Sequence, residues 1–243
     1  MLKVNTIYKT FNLGTPNEVR SLQSVDLHIE KGSFVIVIGT NGSGKTTLLN
    51  AVAGTLFVDS GTIHLADINM TYWPEYRRST FIGRVFQNPF SGTAPSMTVA
   101  ENLAMATKRG QSRGLDWALP KTLLDEFGDR IRMLNMGLED RLNNPMRNLS
   151  GGQRQALTLL MATWLKPELL LLDEHTAALD PKSADQIIRL SDEIIFTDQL
   201  TTLMVTHSMQ QATNLGDRLV MMHRGRIILV FRGAVKIPCR VND

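Results

Sequence analysis

Residues 34–46 read FVIVIGTNGSGKT, and they predict the fold more directly than any other part of the sequence. Its first five residues are apolar and rich in β-branched side chains, a pattern typical of a strand buried on both faces of a parallel sheet. The remaining eight match G-x-x-x-x-G-K-[ST], a loop that binds phosphate between a strand and a helix. The sequence therefore predicts a strand, a phosphate-binding loop and a helix, in that order.

The phosphate-binding loop (residues 39–46) has the residue types that nucleotide binding needs. Its glycines let the backbone curl until successive N–H groups face phosphate oxygens, and the helix N-terminus adds positive potential. We expect Lys45 to reach the β- and γ-phosphates and Thr46 to ligate Mg²⁺. A chance glycine-rich turn is the alternative, and the predicted strand and helix on either side argue against it. The candidate nucleotide-binding residues here are Gly39, Asn41, Gly42, Ser43, Gly44, Lys45, Thr46 and Thr47.

Two further apolar runs, residues 169–172 and 202–205, also predict buried strands. Helical patterns lie between the runs, as in a parallel α/β core. Residues 1–33 and 61–69 alternate in polarity like half-exposed antiparallel strands, and Arg224-Gly225 predicts a hairpin. The sequence thus predicts an α/β fold with an additional antiparallel part.

Residues from about 88 to 150 contain almost no strand signal. An apolar stripe at helical spacing follows Pro120, which suits a helix start. We interpret this segment as a helical insert, with residues 107–114 as a polar loop. The stripe consists of Leu123, Leu124, Phe127, Ile131 and Leu134.

Two acidic residues follow the run at 169–172. Ligand sites of parallel sheets lie at the carboxyl ends of strands, so Asp173 is placed to hold Mg²⁺ through water. Glu174 comes next, where a carboxylate can orient and polarise an attacking water molecule.

Composition excludes several other classes of protein. The chain has 26 Lys and Arg against 23 Asp and Glu, and a net charge of +3 does not indicate a nucleic-acid partner. A single cysteine, Cys239, excludes a multi-cysteine metal site. No signal peptide is visible, and no apolar run approaches the length of a membrane span. We expect a cytosolic chain that would serve a membrane only by docking on another chain.

Residues 149–155, LSGGQRQ, resemble the signature sequence of ATP-binding cassette (ABC) ATPases. Without the resemblance, the residues themselves predict an amphipathic helix at 153–165, preceded by Ser150 and two glycines. These three residues would form a second helix N-terminus able to bind an anion. An ordinary serine-capped helix start is the alternative.

The resemblance to ABC ATPases extends over nearly the whole chain and implies further site residues. Gln87 is similar to the glutamine that senses the metal and begins the helical insert. Asp180 lies in the stretch that resembles the loop crossing the dimer interface, and His207 resembles the switch histidine that contacts the γ-phosphate. Phe11 matches the aromatic residue that stacks on adenine, with Tyr8 as a competitor. Two departures, His175 after the catalytic acid and Ala177, are interpreted as tolerated variation.

The resemblance also implies a domain plan and a mechanism. The plan is a single ABC ATPase domain over residues 1–243: a RecA-like P-loop NTPase core with an antiparallel β subdomain (1–87 and 153–243) and a helical subdomain (about 88–152). Two protomers would bind two ATP molecules head to tail, each between the phosphate-binding loop of one chain and Ser150, Gly151, Gly152 and Gln153 of the other. The implied catalytic residues are Glu174, His207, Lys45 and Gln87. The implied metal ligands are Thr46, Gln87 and Asp173.

Three functions compete: the energy-coupling subunit of a membrane transporter, a soluble ABC ATPase acting on ribosomes or DNA, and an ordinary P-loop kinase or NTPase. The single cassette and the signature favour the transporter. We expect uptake of a small solute such as an amino acid, with lipoprotein release or efflux as the alternative. The expected partners are a second copy, transmembrane permease subunits and an extracytoplasmic substrate-binding protein, with no nucleic acid. The expected location is peripheral, at the cytoplasmic face of the inner membrane.

Overall fold

The computed structural model describes residues 1–111 and 119–232. Cys239 and the last three residues of the predicted loop at 107–114 therefore lie outside the described residues. The chain divides into two compact units. The first comprises residues 1–73 with the described residues from Thr201 onward, and the second comprises Pro74–Leu200.

The described strands are β1 (Leu2–Phe11), β2 (Val19–Ile29), β3 (Phe34–Gly39), β4 (Ser60–Leu65), β5 (Ile68–Asn69), β6 (Ile82–Val85), β7 (Leu169–Asp173), β8 (Thr202–Val205), β9 (Arg218–His223) and β10 (Arg226–Arg232). The described α-helices are α1 (Lys45–Ala53), α2 (Glu75–Arg78), α3 (Val99–Thr107), α4 (Lys121–Arg132), α5 (Gly151–Thr163), α6 (Pro181–Asp198) and α7 (Met209–Asn214). Single 3-10 turns occupy Glu139–Arg141 and Met146–Asn148.

The first unit contains an antiparallel sheet in the order β2-β1-β4-β5. Leu2 pairs with Ile29 and Val4 with Leu27, and these four side chains are buried. Alternate side chains of β1 and β2 point to the core, as their alternating polarity predicts. The expectation of antiparallel strands in this part of the chain is confirmed.

The first unit also contains the strand that leads into the phosphate-binding loop. Parallel neighbours β8 and β9 flank β3, and β9 continues into β10 through a hairpin. Every residue from 34 to 38 is buried, because a central parallel strand is covered on both faces. Arg224 and Gly225 turn the hairpin with φ values of 45° and 77°, the left-handed conformation that this tight turn requires. The predictions of these strands and of the hairpin are confirmed.

The second unit is mainly helical and has its own core. Helix α4 carries the predicted apolar stripe, with Phe127 and Ile131 fully buried. Phe127 meets Trp164 edge to face, with ring centroids 5.3 Å apart, which adds a directional contact to simple burial. The strands β6 and β7 pair in parallel within this unit.

Two features of the second unit differ from the expectations. The strand β6 was not predicted, because it is four residues long and contains Gly83 and Arg84 among its apolar residues. Helix α5 begins at Gly151, two residues earlier than predicted, and is buried on most of its surface rather than amphipathic. It packs against α3, α6 and β6, and these contacts leave little of it exposed. No helix of the described residues is long and apolar enough to cross a membrane.

Candidate functional site

The phosphate-binding loop leaves β3 at Gly39 and enters α1 at Lys45. A Cβ on Gly39 would collide with the Met222 carbonyl group and lie 2.7 Å from Ser43 Oγ. Gly44 has a φ of 98°, and its Cβ would collide with the Ser21 carbonyl group. The loop therefore excludes side chains at both positions by close backbone approach, as a phosphate cradle requires.

Lys45 lies across the inside of this loop. Its Nζ atom donates hydrogen bonds to the carbonyl oxygens of Gly39, at 2.8 Å, and Thr40, at 3.1 Å. The side chain is buried, whereas Thr46 is exposed at the next position. The ammonium group is thus already directed at the concave side of the loop, where a phosphate group would lie.

A second feature of the loop also suits an anion. Ser43 Oγ is buried and has no hydrogen-bond partner. Unpartnered buried hydroxyl groups are rare in folded proteins, since each costs free energy of desolvation. A phosphate oxygen would give this donor a partner. Thr47, in contrast, has its hydroxyl oxygen 2.7 Å from Ser21 Oγ on β2, so its side chain stabilises the loop against the neighbouring strand.

Two other candidates belong to the first unit. Phe11 ends β1 and is 38% exposed, and Tyr8 is 41% exposed, so either ring is accessible for stacking. The ammonium group of Lys9 lies 5.8 Å from the centroid of the Phe11 ring. His207 follows β8 and is exposed. The buried hydroxyl of Thr206 donates to Gln211 Oε1, which orders the turn that carries the histidine.

The acidic candidates lie at the end of β7 in the second unit. Asp173 is only 8% exposed and Glu174 is half-buried. Glu174 has a φ of 45°, a left-handed conformation that is uncommon for residues other than glycine. Such strain is frequent at functional sites, where the surrounding structure holds a side chain in one direction.

Asp173 has a partner that was not predicted from the sequence. Arg84, on the adjacent strand β6, donates from Nη2 to Asp173 Oδ2 at 3.2 Å, and both side chains are 11% exposed. The Arg84 guanidinium also lies 4.5 Å from the centroid of the Phe86 ring. A cation within an apolar strand could have signalled such an ion pair, but its partner is 89 residues away in the sequence.

Gln87 is exposed and follows β6 closely. Phe86, the residue before Gln87, accepts a hydrogen bond from helix α5. Buried Gln155 of that helix donates from Nε2 to the Phe86 carbonyl oxygen at 3.1 Å. Gln155 is not among the site residues predicted from the sequence. The hydrogen bond ties the signature helix to the backbone that carries Gln87.

The signature segment (residues 149–155) forms a capped helix start. Ser150 Oγ accepts a hydrogen bond from the Gln153 N–H, and Gln153 Oε1 accepts one from the Ser150 N–H, both at 3.2 Å. This reciprocal pattern is a capping box, so the serine cap that was the alternative interpretation of this segment is present. Ser150 and Gly151 are also exposed, and their position at a helix N-terminus suits an anion.

Arg154 shapes the backbone before the signature helix. Its guanidinium donates to three carbonyl oxygens, those of Met146, Arg147 and Leu149, at 2.8 to 3.3 Å. It also stacks on Phe90, 3.6 Å from the ring centroid. Burial lowers the pKa of Arg154, but these carbonyl contacts offset the desolvation of its charge.

Asp180 and Gly152 connect this segment to α6. Asp180 caps α6, and its carboxylate accepts a hydrogen bond from the Ser183 N–H at 3.0 Å. Hydrogen bonds from Ser183 lower the pKa of Asp180, so its carboxylate remains charged near pH 7. The Asp180 side chain is exposed. A Cβ on Gly152 would lie 2.9 Å from Ser183 Oγ, so glycine permits close packing of α5 on α6.

His175, the residue in place of the expected proline, is buried. Ser191 Oγ donates to the Ile187 carbonyl oxygen at 2.8 Å, so His175 Nε2–H donates to Ser191 Oγ at 3.1 Å. Its Nδ1 atom has no partner. Burial lowers the pKa of His175 to about 4, and the imidazole is therefore neutral near pH 7.

The predicted site residues fall into two groups. The first unit holds Phe11, the phosphate-binding loop and His207, and the second holds Gln87, Asp173, Glu174, the signature segment and Asp180. Within the described residues no group of three or more His, Cys, Asp or Glu side chains could hold a metal ion. Thr46, Gln87 and Asp173 each carry an oxygen donor, the ligand type that Mg²⁺ takes in proteins.

Comparisons with known proteins identify the class. Residues 22–177 match the family model of the ABC transporter. The tyrosine transport ATP-binding protein of Clostridioides difficile is 42% identical over 245 residues, covering 100% of this chain and 96% of that protein. The spermidine/putrescine import ATP-binding protein of Fusobacterium nucleatum is 34% identical, covering 87% of this chain and 53% of that protein.

Solved structures agree with the family match. A dimeric ATP-binding cassette in a post-hydrolysis state, bound to ADP and Pi, is similar with a TM-score of 0.80 and 27% identity. That match covers 96% of this chain and 98% of the cassette. The chain belongs to the ABC transporter family. It is an ATP-binding subunit and an ATPase, and the predicted P-loop NTPase fold and family resemblance are confirmed.

Proposed function

We propose that this chain is the ATPase of an uptake system for a small solute of the amino-acid class. One observation carries the proposal: 42% identity over the full chain to a protein named for tyrosine transport. A second relative is named for import of spermidine and putrescine, which also favours uptake over release.

The partners and location follow from this role. Since no described helix can cross a membrane, the solute would pass through separate permease subunits. The cassette would dimerise and lie peripherally at the cytoplasmic face of the inner membrane. An extracytoplasmic substrate-binding protein would deliver the solute. We further propose that residues 1–243 form one ABC ATPase domain, with residues 88–152 as its helical subdomain.

We propose the following division of work among the site residues. Lys45 and the N–H groups of the phosphate-binding loop bind the β- and γ-phosphates, and Phe11 stacks on adenine. Glu174 acts as the general base for the attacking water, and His207 holds the γ-phosphate. The exposed N-terminus of α5, at Ser150, binds the γ-phosphate of the partner protomer's ATP.

Mg²⁺ would be held by Thr46, Gln87 and Asp173. When bound, it neutralises negative charge on the β- and γ-phosphate oxygens. The buried Arg84–Asp173 ion pair fixes the orientation of the carboxylate by holding one of its oxygens. Arg84 is therefore a positioning residue for Asp173 in this proposal.

Reconstitution with the permease tests the function. The subunits that co-purify with this chain from membranes would be placed in liposomes with ATP and the matching substrate-binding protein. We expect ATP-dependent accumulation of a radiolabelled amino acid, with tyrosine tested first. Accumulation should be lost with Glu174→Gln. Movement of label in the opposite direction, or co-purification with a lipoprotein-release complex, would contradict uptake.

A further inference from the structure

Two hydrogen bonds connect the residue after Glu174 to the middle of helix α6. His175 is 1% exposed, and its Nε2–H group donates to Ser191 Oγ at 3.1 Å. Ser191 is buried on α6 and donates in turn to the Ile187 carbonyl oxygen at 2.8 Å. We call this pair of residues the His175–Ser191 link.

The stability of the fold does not account for the His175–Ser191 link. Burial withdraws the imidazole from water, and its Nδ1 atom has no hydrogen-bond partner. A buried polar atom without a partner costs free energy. An apolar side chain of similar size would fill the same space without that cost. The polar side chain therefore indicates a function other than stability.

The backbone of Glu174 is the part of this turn that needs a restraint. Its φ of 45° is a conformation that persists only where the surrounding structure holds it. One restraint is local, because the Ala177 N–H donates to the Glu174 carbonyl oxygen at 2.9 Å. The His175–Ser191 link adds a restraint from a separate element, helix α6.

The residue type at position 175 supports this interpretation. Proline, the residue expected there, fixes its own φ through its ring. Histidine leaves that rotation free, so a contact of its side chain has to supply the restraint. The hydrogen bond to Ser191 is such a contact.

We propose that His175 is a positioning residue, which directs the Glu174 carboxylate at the attacking water by anchoring the next residue to Ser191. This inference rests on the proposed role of Glu174 as the general base. The imidazole is buried and its N–H group points to Ser191, so it acts through the backbone of Glu174 and not on the nucleotide. Small displacements of a catalytic group cost much of the rate, because the reaction needs a defined geometry.

ATP hydrolysis by the full chain and two variants of His175 tests the proposal. His175→Met keeps an apolar side chain of similar length and removes the donor. We expect kcat to fall by about tenfold or more, while KM and the affinity for a fluorescent ATP analogue stay within about twofold. His175→Gln places an amide N–H near the position of Nε2 and should recover most of kcat. An equal fall of kcat in both variants would overturn the proposal.

Ser191→Ala tests the other end of the hydrogen bond and leaves the imidazole in place, so it also serves if His175→Met does not fold. It should lower kcat as His175→Met does, and the double variant should show no further loss, since both changes remove one bond. Thr163→Val is the matched control. Thr163 is buried on α5, and its hydroxyl donates to the Leu159 carbonyl oxygen at 2.9 Å. An equal fall of kcat in Thr163→Val would show a general effect of losing a buried hydroxyl and overturn the proposal.

Single-turnover hydrolysis in the Glu174→Gln background separates this proposal from the role of Glu174 itself. Adding His175→Met to Glu174→Gln should leave the residual rate unchanged, because no general base remains to be positioned. A further fall would show that His175 does not act through Glu174. Full kcat in both His175→Met and Ser191→Ala would overturn the positioning role alone. Normal turnover by Glu174→Gln would instead refute the general base, and the positioning role with it.

Discussion

At the residue scale, the proposed nucleotide binding depends most directly on Lys45. Its ammonium group is held by two carbonyl oxygens of the phosphate-binding loop and faces the loop's concave side. The nearby hydroxyl of Ser43 is buried without a partner. Both features indicate a loop that gains hydrogen bonds when a triphosphate binds.

Lys45→Ala is expected to weaken ATP binding by about ten- to a hundredfold, because a charge-assisted contact to phosphate contributes about 1.5–3 kcal/mol. Equilibrium binding of a fluorescent ATP analogue measures the effect. Lys31→Ala is the matched control, since Lys31 is exposed in the same unit. Equal affinity in the two variants would show that Lys45 does not bind phosphate.

His175 is the second residue for which the structure makes a quantitative prediction. Its pKa is lowered to about 4 in the folded chain, against an ordinary value of 6.5. Between these pH values the His175 imidazole is therefore protonated in the unfolded chain and neutral in the folded chain. The free energy of unfolding should be unaffected by His175 above pH 6.5 and fall by about 3 kcal/mol between pH 6.5 and pH 4.

Denaturant unfolding over this pH range, compared with His175→Gln, measures the contribution. Glutamine does not titrate, so the free energy of unfolding of His175→Gln should fall by about 3 kcal/mol less than that of the unchanged chain over this pH range. His223→Gln, at an exposed position, should keep the steep dependence. Identical pH profiles for the unchanged chain and His175→Gln would mean that His175 is not buried in its neutral form.

At the scale of elements, the strand pair β6–β7 positions the candidate metal ligand. Arg84 on β6 and Asp173 at the end of β7 form an ion pair, and each side chain is only 11% exposed. A buried ion pair adds little net stability compared with apolar residues, but removing one partner leaves an uncompensated charge.

Arg84→Met is expected to lower the free energy of unfolding by about 3 kcal/mol, because it leaves the Asp173 carboxylate buried without its cationic partner. The double variant Arg84→Met/Asp173→Asn should recover a substantial part of that loss. Denaturant unfolding of the four proteins in this cycle gives the coupling free energy. Simple additivity of the two single changes would show that the ion pair does not form.

The sequence predicts most elements because their signals are local. The strand β3, its loop and helix α1 are contiguous, and the stripe on α4 repeats with helical spacing. The partners of Arg84, Gln155 and Arg109 are not predictable in this way. Each contacts a residue that is 53 to 89 positions distant, and only the folded chain shows these contacts.

At the scale of the whole molecule, the two groups of site residues have different proposed roles. In the proposed mechanism, the first unit contributes the phosphate-binding loop, and the second contributes Glu174 as the general base together with the signature segment. This division is expected if ATP joins two protomers, since the signature segment then serves the partner's nucleotide. A similar cassette is dimeric in a structure bound to ADP and Pi.

The most direct test of ATP-dependent dimerisation is the oligomeric state of Glu174→Gln with and without ATP, measured by gel filtration with light scattering. Removing the general base should reduce turnover by about 10² to 10⁴-fold and keep ATP bound. Glu168→Gln, at an exposed position, is the control and should hydrolyse ATP normally. We predict that Glu174→Gln is a dimer with ATP and a monomer without it. A variant that binds ATP and remains a monomer would contradict a mechanism in which ATP joins two protomers.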